Sequence, residues 1–156
     1  MTREQQRQIR KWLSSYRILK RTVQLKEKHL DDFIRFMYNP LKETADKIVK
    51  PKDGEQEMTD EIIEKMERIY LEIIEDLKQD LTDMKKQMQE IFNVINNLDN
   101  YERSVCFNRY ILGNGWTDIA SQLGYEIRQC QRYDLNAVRN IAKNYKGNIF
   151  DLINKY

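Results

Sequence analysis

Four side chains with hydrogen-bonding heads stand close together between residues 125 and 135: Arg128, Gln129, Gln131 and Arg132. Arg pairs with the edge of guanine, and Gln with that of adenine, through two hydrogen bonds in the DNA major groove. These positions lie outside an apolar row with helical spacing, formed by Tyr125, Cys130, Tyr133, Ala137, Val138 and Ile141. The pattern predicts a helix from about Glu126 to Lys143 with the polar heads on its exposed face.

A shorter helix is predicted directly before it. Ile119, Ala120 and Leu123 have helical spacing, and Gly124 ends the helix where a left-handed residue is needed. Ala120 is small at the point where the two helices are expected to cross. Two helices joined by a tight turn form the helix-turn-helix motif, whose second helix enters the major groove. The alternative is a helical bundle of the same geometry without a nucleic-acid role.

Enzymatic or metal chemistry has little support in the sequence. The chain has one histidine, His29, and two cysteines, Cys106 and Cys130, without a CxxC pair. Both cysteines fall on apolar faces of predicted helices, so we expect them to be small buried hydrophobes. No Gly-rich phosphate loop and no nucleophile with a base beside it is found. We therefore expect no enzyme, no cofactor and no metal.

Composition favours long helices. The chain of 156 residues is 33% charged and contains 5 Gly and 2 Pro, which argues against a sheet. No apolar run approaches the ~20 residues that cross a bilayer. The amino-terminal stretch lacks the apolar core of a signal peptide. We expect a cytoplasmic protein without a membrane partner.

The charges are unevenly distributed. Residues 1–52 carry 14 Lys/Arg against 6 Asp/Glu, residues 53–98 carry 5 against 13, and residues 99–156 carry 8 against 6. These net charges of +8, −8 and +2 leave two alternatives open. The basic run pairs with the acidic one along its length, or it contacts nucleic acid.

The first hundred residues read as a helical hairpin. A first helix over 3–38 has a coiled-coil seam of Ile9, Trp12, Tyr16, Leu19, Val23, Leu30, Phe33 and Met37. Asn39-Pro40 predicts a break and a second helix to about Lys50, and residues 51–54 predict another break.

A third helix is predicted from a cap at Thr59, with Met58 and Ile63 as a hydrophobic staple, to about Leu98. Its apolar row is Ile62, Met66, Ile69, Ile73, Leu77, Leu81, Met84, Met88, Ile91, Ile95 and Leu98, with a stutter at Ile73–Leu77–Leu81. Matching seams and opposite charge predict antiparallel pairing with the first helix, within one chain or between two.

The carboxyl-terminal part adds two further helices. Asp99 is a predicted cap with Glu102 three residues on, opening a helix that ends near residues 113–115. Asn148 is predicted to cap a short final helix whose apolar face needs a partner, either this domain or another protein. The expected fold is all-α, with a helical hairpin over 1–98 and a helix-turn-helix domain over 99–156.

The stretch from Leu98 to Ala142 reads LDNYERSVCFNRYILGNGWTDIASQLGYEIRQCQRYDLNAVRNIA. It resembles the carboxyl-terminal domain of bacterial sigma factors, which reads the −35 promoter element. With its helical amino-terminal half, including RKWLSSYR, the chain resembles small sigma-like regulators of Gram-positive phages and prophages, grouped near the ArpU and RinA late regulators.

This resemblance implies that the helix from Glu126 meets the major groove. It assigns Ile127, Arg128 and Arg132 to contacts with bases, with Gln129 and Gln131 beside them. It places Arg139 near phosphates or polymerase-bound partners, and Thr117 where its hydroxyl can donate a hydrogen bond to a phosphate. Glu126 departs from the usual Thr or Ser cap, and Ile127 replaces a polar or basic residue. The −35 consensus is therefore not carried over as the target.

These observations favour a sequence-specific transcription regulator of phage or prophage genes in a bacterial host. Its expected partners are double-stranded DNA and a second copy of the chain, with RNA polymerase as a candidate. One alternative is a DNA-packaging assembly protein like the small terminase subunits, which form rings. The other is a protein-binding module that acts on host polymerase.

Overall fold

The computed structural model describes the backbone of residues 1–47 and 60–156 and the side chains of 1–37 and 60–156. Over these ranges the chain is helical and contains no strand, which confirms the all-α class. The helices are α1 (Arg3–Lys47), α2 (Asp60–Asn96), α3 (Asn100–Cys106), α4 (Trp116–Leu123), α5 (Ile127–Asn144) and α6 (Ile149–Asn154), with a π-helical segment (Phe107–Ile111) after α3. None of the helices in these ranges has an apolar stretch long enough to cross a membrane.

Contacts divide the chain into two compact units. Unit 1 joins Met1–Arg21 to Lys85–Tyr156, and unit 2 is Thr22–Met84. Both α1 and α2 therefore contribute to both units. The division into 1–98 and 99–156 stays a prediction.

The predicted helix break at Asn39-Pro40 is wrong, because α1 continues to Lys47. Pro40 has no backbone N–H and so removes one helical hydrogen bond, but its fixed φ of about −65° is itself helical. The turns on both sides hold the helix through this position. The predicted break at 51–54, the cap at Thr59 and its staple with Met58 lie outside the described residues.

The core of unit 1 is built by both long helices and the carboxyl-terminal ones. Ile9, Trp12 and Leu13 of α1 share one buried cluster with Ile91, Ile95 and Leu98 at the end of α2, and with residues of α5 and α6. Low-numbered residues of α1 thus meet high-numbered residues of α2, as in an antiparallel pair. The coiled-coil seam did not predict the burial of Leu13, because this end of α1 packs against more than one neighbour and buries a wider face.

The short helix α6 finds its partner within unit 1. Asn148 caps it, since the Asn148 side chain accepts a hydrogen bond from Phe150 N at 3.0 Å. Ile149 is buried, and Phe150, Leu152 and Ile153 pack on the same core cluster. Of the two partners expected for this apolar face, the structure shows the domain itself.

In unit 2 the two long helices also meet in antiparallel order within the chain. Lys26 Nζ lies 3.6 Å from Asp80 Oδ2, and the rings of Phe33 and Tyr70 make an edge contact with centroids 6.2 Å apart. The predicted seam of α1 is confirmed here, because Val23 and Leu30 are buried and Phe33 is half-buried.

The predicted apolar row of α2 is wrong at three positions of its first half, whereas Met66 and Leu77 are partly buried as predicted. Ile62, Ile69 and Ile73 are exposed, whereas Ile74 is buried. The residues that face α1 are shifted by one position, because the Tyr70 ring contact fixes the rotation of α2 here. The partly or fully buried row runs Met66, Tyr70, Ile74, Leu77 and Leu81, so the two successive four-residue steps lie at 66–74 and not at 73–81 as predicted.

Candidate nucleic-acid interface

The seven side chains predicted to contact DNA are all exposed: Thr117, Ile127, Arg128, Gln129, Gln131, Arg132 and Arg139. Six of them lie on α5, and Thr117 lies at the start of α4. At 100° per residue, Arg128, Arg132 and Arg139 fall within about 40° of one another around α5. They face away from the buried side, which carries Cys130, Asp134, Ala137, Val138 and Ile141. The structure therefore brings three arginines onto one free face of one helix.

The connection between α4 and α5 is three residues long, from Gly124 to Glu126. Gly124 has φ +72°, the left-handed conformation predicted for it, and Gly124 N–H donates to Ala120 O. Tyr125 N–H donates to the same carbonyl at 3.1 Å. These two bonds satisfy a carbonyl group at the end of α4 and turn the chain sharply into α5.

A small core sets the angle between the two helices. Ile119 of α4, Cys130 of α5 and Val105 of α3 are fully buried together, and Ala120, Leu123 and Tyr133 pack around them. Since Ile119 and Cys130 occupy the inner faces of their helices, the arginines of α5 cannot rotate inward without breaking this core. The packing therefore fixes which face of α5 meets solvent.

The first turn of α5 has no side-chain cap. Glu126 occupies the cap position with an extended backbone, and its side chain makes no capping hydrogen bond. The first N–H groups of a helix lack intrahelical partners and carry partial positive charge. Ile127, at the first helical position, is 42% exposed. The amino-terminal end of α5 thus offers backbone donors and one apolar side chain.

Three tyrosines hold the start of α5 against α3. The rings of Tyr101 and Tyr133 stack with centroids 5.5 Å apart at 10°, and Tyr125 lies 5.5 Å from Tyr133. Gln129 Nε2 donates to Tyr133 Oη at 3.2 Å, which restrains one of the predicted contact residues. The sequence did not predict the contact of Tyr101 with Tyr125 and Tyr133, since no local spacing links residues 24 or more positions apart.

A buried polar network ties α5 to α1. Asp134 is 3% exposed and accepts hydrogen bonds from Arg10 Nε at 3.0 Å and from Tyr110 Oη at 2.6 Å. Burial, followed by the negative charge of Asp134, raises the pKa of Tyr110, so this hydroxyl keeps its proton. The sequence feature that indicates this network is Asp134 itself, a charged residue four positions after Cys130 on the apolar side of the helix.

A second polar contact joins α3 to α5. Asp99 caps α3 as predicted, because its Oδ1 accepts from Glu102 N at 3.0 Å. In a full capping box the Glu102 side chain would accept a hydrogen bond from Asp99 N. Here both carboxylate oxygens of Glu102 instead accept from Asn140 Nδ2, at 2.8 and 2.9 Å. Glu102 thereby joins α3 to the last third of α5.

The two units differ in charge. Unit 1 carries 17 Lys/Arg against 8 Asp/Glu, a net +9, and unit 2 carries 10 against 17, a net −7. Ion pairs between the described side chains include Arg10 with Asp134 and Lys26 with Asp80. The first 21 residues of the basic run, with 7 Lys/Arg against 1 Asp/Glu, lie in unit 1, whereas its other 7 Lys/Arg lie in unit 2 with most of the acidic run. The net +9 of unit 1 favours contact of its part of the basic run with a polyanion, whereas the part in unit 2 pairs with the acidic run at least through Lys26 and Asp80.

The cysteines are buried, as predicted. Cys106 and Cys130 are both free thiols without exposed surface. Burial raises the pKa of each thiol, most strongly at Cys106, where Asp134 and Glu102 add to the effect. A protonated buried thiol is a poor nucleophile. Among the side chains of residues 1–37 and 60–156, no three His, Cys, Asp or Glu come together as a metal site.

No family model matches the chain, and neither a curated protein nor a solved structure matches it.

Proposed function

We propose that the chain is a sequence-specific regulator of transcription that binds double-stranded DNA, acting on phage or prophage genes in a bacterial cytoplasm. In this proposal α4 and α5 form a helix-turn-helix, and the first turns of α5 lie in the major groove. The observation that carries it is the free arginine face of α5. Arg128, Arg132 and Arg139 share that face, and no ion pair within the described residues involves them.

The position of each side chain supports a distinct role. Arg128 and Arg132 stand one turn apart near the start of α5, where helix-turn-helix proteins contact bases. Their guanidinium groups suit the two acceptors of guanine. Arg139 lies about 10 Å farther along the helix and is assigned to a phosphate.

The remaining predicted residues have supporting roles. Gln131 is free to pair with adenine, whereas Gln129 must exchange its bond to Tyr133 to do so. Ile127 suits a thymine methyl group, and Thr117 suits a phosphate. The net charge of +9 on unit 1 supports affinity for DNA, since phosphate neutralisation supplies most of the sequence-independent binding energy.

The direct test is to incubate the protein with fragmented DNA of its source genome and to sequence the retained fragments. We expect one short region upstream of a gene block to be enriched. The variant Arg128→Ala/Arg132→Ala should lose this enrichment. Lys143→Ala/Lys146→Ala, which removes two exposed charges at and just beyond the far end of α5, should keep it. Wild-type protein that retains fragments without preference would refute sequence recognition.

A second copy of the chain is the partner that the exposed apolar row of α2 supports. Ile62, Ile69 and Ile73 recur at spacings of seven and four residues and so share one face of unit 2. Phe36 of α1, 68% exposed, is a further apolar side chain on the surface of unit 2. Apolar faces of this kind mark association surfaces. RNA polymerase remains a second proposed partner, on the resemblance to sigma factors.

Mass measurement by light scattering tests the dimer. We expect two copies for the wild type and one for Ile69→Lys. Leu71→Lys is the matched control, since Leu71 is 60% exposed but lies about 160° away from Ile69 around α2. A monomeric wild type would refute the dimer, and eight or more copies would favour the packaging protein.

A further inference from the structure

A cavity of about 360 Å³ in unit 1 is lined by three arginines. Arg17 and Arg21 reach it from α1, and Arg109 reaches it from the π-helical segment. Ser14, Ile18, Tyr110 and Gly113 complete its lining, so the lining contains no carboxylate. The cavity therefore gathers three positive charges at one place.

These charges are not neutralised by the neighbouring protein. The carboxylate that reaches Tyr110 is Asp134, and it is already bound by Arg10 and by the Tyr110 hydroxyl. No ion pair of Arg17, Arg21 or Arg109 is found within residues 1–37 and 60–156. Like charges held around one cavity repel each other unless an anion joins them.

Arg109 is held in position by its neighbours, and Arg17 lies against the backbone of Gly113. The Arg109 guanidinium lies over the Trp116 ring, 4.4 Å from its centroid, and donates to Asn114 O at 3.4 Å. The Arg17 guanidinium packs against Gly113, where a side-chain carbon would collide with it. Gly113 has φ +74°, so the backbone conformation favours glycine here, and a larger residue would also displace the flexible end of Arg17.

We propose that this cavity binds a phosphate group, and that the phosphate belongs to the backbone of the DNA read by α5. The proposal rests on the proposed function and extends it to α1. Arg109 is fixed by Trp116, the first residue of α4, and the exposed Thr117 follows it. A strand that passes the start of α4 therefore passes the cavity. Arg presents a fork of donors that matches phosphate oxygens.

The test measures the salt dependence of DNA binding by the full chain. The probes are a duplex of the genomic sequence that the wild type retains and an unrelated duplex of equal length. The slope of log affinity against log salt falls in size by about 0.9 for each phosphate that the protein no longer neutralises. Arg17→Ala/Arg21→Ala should reduce the slope by about 0.9–1.8, the effect of one to two phosphates, on both duplexes and leave the preference between them unchanged.

Two further variants sharpen the comparison. Lys11→Ala/Lys20→Ala removes the same charge from exposed positions of α1 outside the cavity, and should change the slope less. Gly113→Ala keeps every charge but displaces the Arg17 guanidinium, and should reduce the slope by about 0.9, the effect of one phosphate. If the wild type binds its site specifically but the salt slopes of Arg17→Ala/Arg21→Ala and Lys11→Ala/Lys20→Ala are equal, the phosphate site in the cavity is refuted and the proposed function stands.

If the wild type shows no DNA preference, the proposed function fails and inorganic phosphate becomes the probe. Melting temperatures are then compared in phosphate and in chloride at equal ionic strength. Phosphate that stabilises the wild type more than Arg17→Ala/Arg21→Ala supports a phosphate site filled by a free ligand. Equal stabilisation of the two proteins overturns the site.

Discussion

Replacing Asp134 by Ala should be among the most destabilising single changes in unit 1, because its carboxylate serves two partners. The Tyr110 hydroxyl is the more dependent one, since Tyr110 is 4% exposed and its bond to Asp134 is 2.6 Å long. Losing a hydrogen bond to a charged group costs about 1.5–3 kcal/mol, and a buried hydroxyl left without a partner adds about 1–3 kcal/mol. Arg10 is 37% exposed, so its loss counts for little after screening by solvent.

We therefore expect Asp134→Ala to lower the free energy of unfolding by about 3–5 kcal/mol. Tyr110→Phe removes the hydroxyl but leaves Asp134 paired with Arg10, and should cost about 1.5–3 kcal/mol. The double variant Asp134→Ala/Tyr110→Phe has no buried hydroxyl left without a partner. Its loss should be smaller than the sum of the single losses by about 1–3 kcal/mol.

Urea unfolding followed by circular dichroism measures the four proteins of this cycle, with the slope against urea used to check that the unfolded state is unchanged. The network predicts strong coupling between the two positions. Losses that add to within about 0.5 kcal/mol would show that Asp134 and Tyr110 act independently, and would refute the reasoning.

Three further outcomes follow from the structure. Gly124→Ala should cost about 1–2 kcal/mol in urea unfolding because of its φ of +72°, whereas Gly115→Ala, at φ −74° with open space around it, should cost less than about 1 kcal/mol. Cys106→Ala should flatten the loss of stability at alkaline pH. Burial raises the pKa of the Cys106 thiol in the folded state, so its contribution is full below the unfolded-state pKa of ~8.5 and falls above it by up to about 1.4 kcal/mol per pH unit. Identical slopes of stability against pH for the wild type and the variant would contradict this. Ile119→Ala should lower the free energy of unfolding by about 2–5 kcal/mol, whereas Ile127→Ala, at an exposed position, should change it by less than about 1 kcal/mol, and similar losses would contradict the packing.

The parts of the fold that follow from local rules were predictable. The left-handed Gly124, the caps at Asp99 and Asn148 and the burial of Cys130 each depend on residues within a few positions in the sequence. The exposed row of α5 follows from the same helical period, since it is what remains outside the apolar positions.

The parts that depend on distant contacts were not predictable. Whether Ile73 or Ile74 faces α1 is decided by the Phe33–Tyr70 contact across the helix pair. The continuation of α1 through Pro40 conflicts with a strong local break signal. Arg10 and Asp134 are 124 positions apart, so no spacing rule joins them.

The proposed role in transcription regulation depends on whether the arginine face of α5 reads the DNA sequence. The most direct measurement is the ratio of affinities for the retained genomic duplex and an unrelated duplex, at one fixed salt concentration. Arg128→Ala/Arg132→Ala should lower this ratio by roughly tenfold or more, since each bidentate contact discriminates by about 1–3 kcal/mol. Lys143→Ala/Lys146→Ala should leave the ratio unchanged. A ratio equal in the wild type and the arginine variant would contradict recognition by this helix.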